Sequence, residues 1–280
     1  MPTSKQRRQA AQRHLQKQIE RRTELAKKRR RNLGIIATVV AVAVVVVAAL
    51  VITGVFNSDN SSSDAAAGSS SAPASSAAAT TKPDGTIACT YSPDKSGNPN
   101  LKDVGTPPTP EATPTRGTAT LLMSTNQGDL TLTLDRTKAP CAAASFAFLA
   151  SKKFFDGSPC HREVNEPTFG VLQCGDPTGS GSGGPTYKFG QEIPKGTTYP
   201  RGTIAMANTG QPNSTGSQFF LCFTDTQLSA DYTPVGTVDE AGLAVLDKVA
   251  AAGNDGSFAA QAGGGAPKLP VTINTMTVVG

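Results

Sequence analysis

The chain has 280 residues, with 26 Lys plus Arg against 21 Asp plus Glu, 38% hydrophobic residues, no Trp and two His. The charge is unevenly placed: residues 1 to 32 hold 12 basic and 2 acidic side chains, whereas residues 57 to 280 hold 14 basic and 19 acidic ones. The globular part is therefore mildly acidic, which argues against a nucleic-acid-binding domain. With His14 in the tail, any histidine chemistry there falls to His161.

Residues 1–32 form a basic tail. Residues 33–56, LGIIATVVAVAVVVVAALVITGVF, run 24 residues without a charge. At ~1.5 Å per residue this covers the ~30 Å hydrocarbon core, so one transmembrane helix is expected. The basic flank KKRRRN places the N-terminus in the cytoplasm and everything after Phe56 outside, by the positive-inside rule. Residues 57–116 read as tether and extension. Of the 25 residues from 57 to 81, 17 are Ser or Ala, a composition that builds no core. The Pro-rich TPPTPEATPT (106–115) favours an extended, surface-lying segment.

Residues 117–280 carry the fold. Thr118 to Ser124 and Leu130 to Asp135 read as strands of a hairpin turning at Asn126-Gln127-Gly128-Asp129. Pro140 suits a first helical turn, with Ser145, Phe146, Phe148 and Leu149 carrying the helix to about Lys153. Short strand-like runs follow near Cys160 to Val164, Phe169 to Cys174, Thr203 to Ala207, Gln218 to Thr224, Pro234 to Val238 and Val271 to Val279. A second helix fits Leu243 to Ala252 and stops at Gly253. Many short strands, two separated helices and Gly-rich connections point to a closed antiparallel barrel.

Several familiar sites fail on spacing. GSGSGG (179–184) lacks the Lys-Ser or Lys-Thr of a phosphate loop, Cys160-His161 with Cys174 lacks a C-x-x-C pair for zinc, and no G-x-S-x-G accompanies His161 for covalent catalysis. What remains is an ordered set of segments: Pro159-Cys160-His161-Arg162, Val171-Leu172-Gln173-Cys174-Gly175-Asp176, Ile204-Ala205-Met206-Ala207-Asn208 and Asn213-Ser214-Thr215-Gly216-Ser217-Gln218-Phe219-Phe220.

In order, spacing and wording this set resembles the cyclophilin family of peptidyl-prolyl cis-trans isomerases, from about Thr118 to Val279, and the preceding layout is similar to membrane-anchored actinobacterial members. The resemblance implies a mainly β fold, a closed eight-stranded antiparallel β-barrel capped by two α-helices. It implies isomerisation of X-Pro bonds in extracytoplasmic polypeptides, with Arg162 as electrostatic catalyst, no covalent intermediate and no cofactor or metal. By resemblance Gln173 binds substrate backbone and supports Arg162; Phe220, Val171 and Leu228 form the proline slot; the main chain of Asn208 holds the neighbouring residue; Met206 lies in the strand beneath; Ala207 and Gln218 line the groove. His161 is either a substrate contact or a packed strand residue. The expected partners are proline-containing polypeptides and the membrane, not nucleic acid. The alternative is a noncatalytic, membrane-tethered module that binds Pro-peptides.

The chain departs from the family pattern in places. Three residues are inserted between Arg162 and Gln173; the aromatic due before Gln173 falls on Gly170, beside Phe169; Gln227 and Tyr232 stand where the family has Trp and His. Of five Cys one stays unpaired or bonds between chains, and there are 15 ways to choose it and pair the other four. Cys160 with Cys174 and Cys89 with Cys141 are the expected bridges, leaving Cys222 free and buried.

Overall fold

The structure is a computed structural model and describes residues 81–280. The basic tail, the 33–56 span and almost all of the Ser/Ala tether lie outside the described residues. Among those described, no helix is long and apolar enough to cross a membrane.

The sheet begins with a hairpin, β1 (Thr118–Thr125) and β2 (Gly128–Asp135), in which Thr125 pairs with Gly128, leaving Asn126 and Gln127 as a two-residue loop. Thr125 Oγ1 accepts from the amides of Gln127 (3.0 Å) and Gly128 (3.2 Å). Gly128 is needed as the first residue of β2: its φ is 140°, and an added Cβ would come within 2.8 Å of Val245 Cγ2.

Helix α1 (Pro140–Ser151) opens on Pro140, as its missing N–H allows. Its cap comes from far along the chain, the Glu192 carboxylate accepting from the amides of Cys141 (3.0 Å) and Ala142 (2.8 Å). Next come β3 (Ser158–Pro159), β4 (Arg162–Glu166), β5 (Phe169–Cys174), β6 (Thr203–Met206), β7 (Phe219–Cys222) and β8 (Pro234–Val238). Helix α2 (Glu240–Ala252) starts earlier than the apolar pattern suggests, because the Asp239 carboxylate caps it by accepting from Gly242 N at 2.9 Å. Strand β9 (Thr272–Val278) closes the chain.

The nine strands run β3-β9-β1-β2-β8-β6-β7-β5-β4. This is a curled half-barrel whose two end strands, β3 and β4, are neighbours in sequence. The mainly β architecture with two helices is as expected, but the ladder has nine strands and two ends, not an eight-stranded ring. Alternation along the strands splits the apolar side chains into two clusters. The larger packs α1 and α2 on the sheet around Phe146, Phe154, Phe155 and Phe219. The smaller lies on the other face: Val164, Val171, Tyr199, Ala205, Phe220 and Cys222.

The extension is laid on this body. Cys89 is bonded to Cys141 in α1. Tyr91 donates to Cys141 O (2.8 Å) and packs edge-on against Tyr187 and Phe189. Cys160 is bonded to Cys174, and Cys222 is free and buried, its thiol pushed up to about 12 by burial.

Candidate active site

Arg162 stands at the start of β4, opposite Gln173 of β5, and Gln173 stands opposite Phe220 of β7. Three adjacent strands thus bring a cation, an amide and an aromatic ring to one face of the sheet. Arg162 Nη1 donates to Gln173 Oε1 at 2.9 Å, Nε donates to Gly263 O at 3.0 Å, and Nη2 donates to Ala262 O. A guanidinium has five N–H groups. These three bonds use three of them and hold the plane fixed, leaving one N–H on each of Nη1 and Nη2. Burial pulls its pKa below the usual value, the Tyr232 phenol working the other way, but an arginine stays charged.

The polarity of the amide relay is forced. The carbonyls of Gly181 and Gly183 only accept, so Gln218 must turn its NH₂ to them, and Nε2 lies 3.0 Å from each. Gln218 Oε1 then faces Gln173 Nε2 at 2.9 Å, which leaves Gln173 Oε1 for the arginine. The loop bearing those carbonyls is anchored by buried Asp176, which accepts from Thr178 N and Oγ1, Ser180 Oγ and Gly183 N. Those bonds hold its carboxyl below the ordinary range although burial opposes them.

Phe220 belongs to the smaller apolar cluster, against which Phe169, Ala207, Leu228 and Tyr232 pack half-buried. Tyr232 meets Phe220 edge-on with ring centroids 5.2 Å apart. Phe169 takes the place of the displaced aromatic, its ring centroid 5.9 Å from Arg162 Cζ. Gly170 could not carry a ring: an added Cβ would lie 2.4 Å from Thr224 Oγ1 and 2.7 Å from Phe223 Cε2.

Arg162, Gln173, Gln218, Phe220, Leu228 and Tyr232 are thus gathered with Ala207, whose N–H donates to Gln218 O at 2.8 Å. The Asn208 side chain ties to Asp231 O at 2.8 Å. Met206 lies in β6 beneath, as expected, but it pairs with Phe219 and faces the larger core, because strand alternation gives the side of the Phe220 notch to Ala205. Val171, fully covered, belongs to the same apolar cluster as Phe220. His161 lies between β3 and β4, outside any strand, beside Gly181, with buried Nδ1 unpartnered. Burial lowers its pKa, with Asp176 opposing and Arg162 adding.

Sequence reasoning missed the carbonyls of Ala262 and Gly263, which have no side-chain signature. It also missed Tyr199, buried beneath the notch, whose Oη donates to Tyr232 O at 2.8 Å. A buried Tyr in a loop gave no periodic signal.

The family model for "Cyclophilin type peptidyl-prolyl cis-trans isomerase/CLD" matches residues 120–278, more than half of the chain. This chain belongs to the cyclophilin family. It is 42% identical over 205 residues to the probable peptidyl-prolyl cis-trans isomerase B of Mycobacterium leprae, covering 68% of this chain and 66% of that protein. To the Mycobacterium tuberculosis protein of the same name it is 41% identical over 215 residues, 71% of this chain and 66% of the relative. The cyclophilin thus spans just under two thirds of these relatives' length. A Cryptosporidium parvum cyclophilin-type isomerase aligns with a TM-score of 0.51 and 27% identity, over 59% of this chain and 99% of that one. The same protein, in a structure determined in the presence of the dipeptide Ala-Pro, aligns with a TM-score of 0.50.

Proposed function

We propose that this cyclophilin isomerises X-Pro bonds, with Arg162 as the catalytic donor. Rotation must cross ~18–20 kcal/mol because amide resonance is lost at the top, and uncatalysed exchange takes about 10–100 s. At the twisted state the imide nitrogen regains a lone pair. A permanently charged, immobilised N–H donor favours that state over either planar one. The observation that carries the reading is the pair of uncommitted N–H groups on a guanidinium held beside the Phe220 cluster. A preorganised donor of this kind contributes ~2.7–4 kcal/mol, which at ~1.4 kcal/mol per tenfold is about two to three powers of ten. In this reading Phe220, Leu228, Phe169 and Tyr232 receive the proline ring, and Gln173 and the Asn208 main chain hold the flanking backbone. The C. parvum structure with Ala-Pro supports a proline-containing ligand in this family.

We further propose that the enzyme is anchored by residues 33–56 with its domain outside the membrane, acting on exported polypeptides. Support comes from the uncharged 24-residue run, the 12-to-2 excess of basic residues before it, and the two disulfides. A second reading, a noncatalytic Pro-peptide-binding module, draws on the altered 163–170 segment, where three residues are inserted between Arg162 and Gln173. NMR exchange measurement of cis–trans interconversion in an Ala-Pro-Phe peptide decides between them. Catalysed exchange supports the enzyme; binding without acceleration supports the module.

A further inference from the structure

A groove of about 470 Å³ opens beside the notch and shares Gln173, Ala207, Asn208 and Gln218 with it. Its far wall lies outside the family-matched region 120–278: Asp94, Ser96, Asn98 and Leu101 come from the extension. This wall is built into the fold. Ser92–Pro93 pairs antiparallel with Tyr187–Lys188, and Leu101–Lys102 pairs parallel with Gly184–Pro185. Asn98 Nδ2 donates to Ser182 O at 2.7 Å, and Asn100 Nδ2 donates to Ser182 Oγ at 2.8 Å. The Cys89–Cys141 bond fixes the upstream end to α1.

The chemistry of the groove is neutral. Its two charged residues cancel, Lys188 Nζ lying 2.9 Å from Asp94 Oδ2 while Asp94 Oδ1 accepts from Ser96 N at 2.9 Å. Leu101, Pro185 and Tyr187 supply apolar surface, and serine hydroxyls and glycine backbone supply the rest. A charged side chain entering here would lose water and meet no free counter-ion, which is costly, whereas an apolar one gains by burial. In an extended peptide alternate side chains share a face at ~3.3 Å per residue. With proline in the notch and the preceding residue on the Asn208 main chain, the side chain two positions before proline turns to the groove side.

We propose that the extension wall, residues 92–102, is a specificity element selecting substrates with an uncharged, apolar side chain two positions before proline. The inference rests on the isomerase reading of the same site. The test measures kcat/KM of the full chain by NMR exchange on Leu-Ala-Pro-Phe and Glu-Ala-Pro-Phe peptides, for the natural sequence, Leu101→Lys and Ser96→Lys. The natural chain should favour Leu over Glu about tenfold. A lysine on the wall supplies the missing counter-ion, so both variants should lower that ratio below about twofold or invert it. Ser96 is exposed, so its variant tests the idea even if Leu101→Lys folds poorly. Equal turnover of the two peptides by the natural chain, or an unaltered ratio in Ser96→Lys, would overturn the proposal while leaving isomerase activity standing. Absence of turnover on both peptides overturns the isomerase reading and the specificity wall with it.

Discussion

Replacing Gln218 by Leu cuts the relay that orients the arginine at its middle. The variant removes two donors, to Gly181 O and Gly183 O at 3.0 Å each, and the acceptor 2.9 Å from Gln173 Nε2. Neutral bonds contribute about 0.5–1.5 kcal/mol each, and Gln218 is only half-buried, so the stability cost should be about 1–2 kcal/mol. The catalytic cost has another origin. Without Gln218 Oε1 the Gln173 amide is free to turn its NH₂ toward Arg162, where donor meets donor and the bond to Nη1 is lost. If the turned state is populated appreciably, about 1 kcal/mol of arginine positioning is lost, or about fivefold in rate. The assay is kcat and KM on an Ala-Pro-Phe peptide by NMR exchange, with unfolding in urea as the fold control. Gln218→Leu should lower kcat about three- to tenfold, whereas Gln218→Glu, whose second carboxylate oxygen would face the Gly181 and Gly183 carbonyls acceptor to acceptor, should lose stability as well. Unchanged kcat in the Leu variant would refute the forced-polarity relay.

Glu163 is fully buried with both carboxylate oxygens unpartnered, and burial raises its pKa from 4.5 to about 7. With this carboxyl the folded state binds more protons than the unfolded one between these values, so its contribution to stability is full below pH 4.5 and is lost as pH rises to about 7, by about 3 kcal/mol. Glu192 shifts the same way, so Glu163→Gln should roughly halve the fall in urea stability over this window; an unchanged slope would contradict the burial argument. Removing the Cys89–Cys141 bond with a double Ala variant opens a loop of sequence separation 52. The loss should be up to about 4 kcal/mol on loop-closure entropy, read as a lower urea midpoint. Gly170→Ala should cost about 1–3 kcal/mol by overpacking against Thr224 and Phe223, and a neutral result in thermal unfolding would show that those side chains yield.

Much of the sheet is legible in the sequence because its strands alternate cleanly. Thr118–Thr125 and Gly128–Asp135 flank a short polar turn, and Phe219–Cys222 is β-rich on both faces. Arg162, Gln173 and Phe220 are legible only as a set, since none is unusual alone and their meeting depends on the β4-β5-β7 register. The same alternation places Met206 in the core, an outcome that follows from Ala205 facing the notch. What the sequence hides acts through backbone or over long separations. The Ala262 and Gly263 carbonyls that grip Arg162 lie about 100 residues away, Glu192 caps a helix 50 residues earlier, and the extension's wall is made of two-residue ladders too short to show a period.

The most direct measurement is kcat/KM for cis–trans exchange of an Ala-Pro-Phe peptide by the natural chain and by Arg162→Ala. Loss of the immobilised donor should lower kcat/KM tenfold or more, equivalent to at least about 1.4 kcal/mol, in a protein that stays folded in the absence of urea although the three hydrogen bonds of this half-buried side chain are lost and the urea midpoint falls. An Arg162→Ala protein that isomerises the peptide as fast as the natural chain would contradict catalysis by the guanidinium.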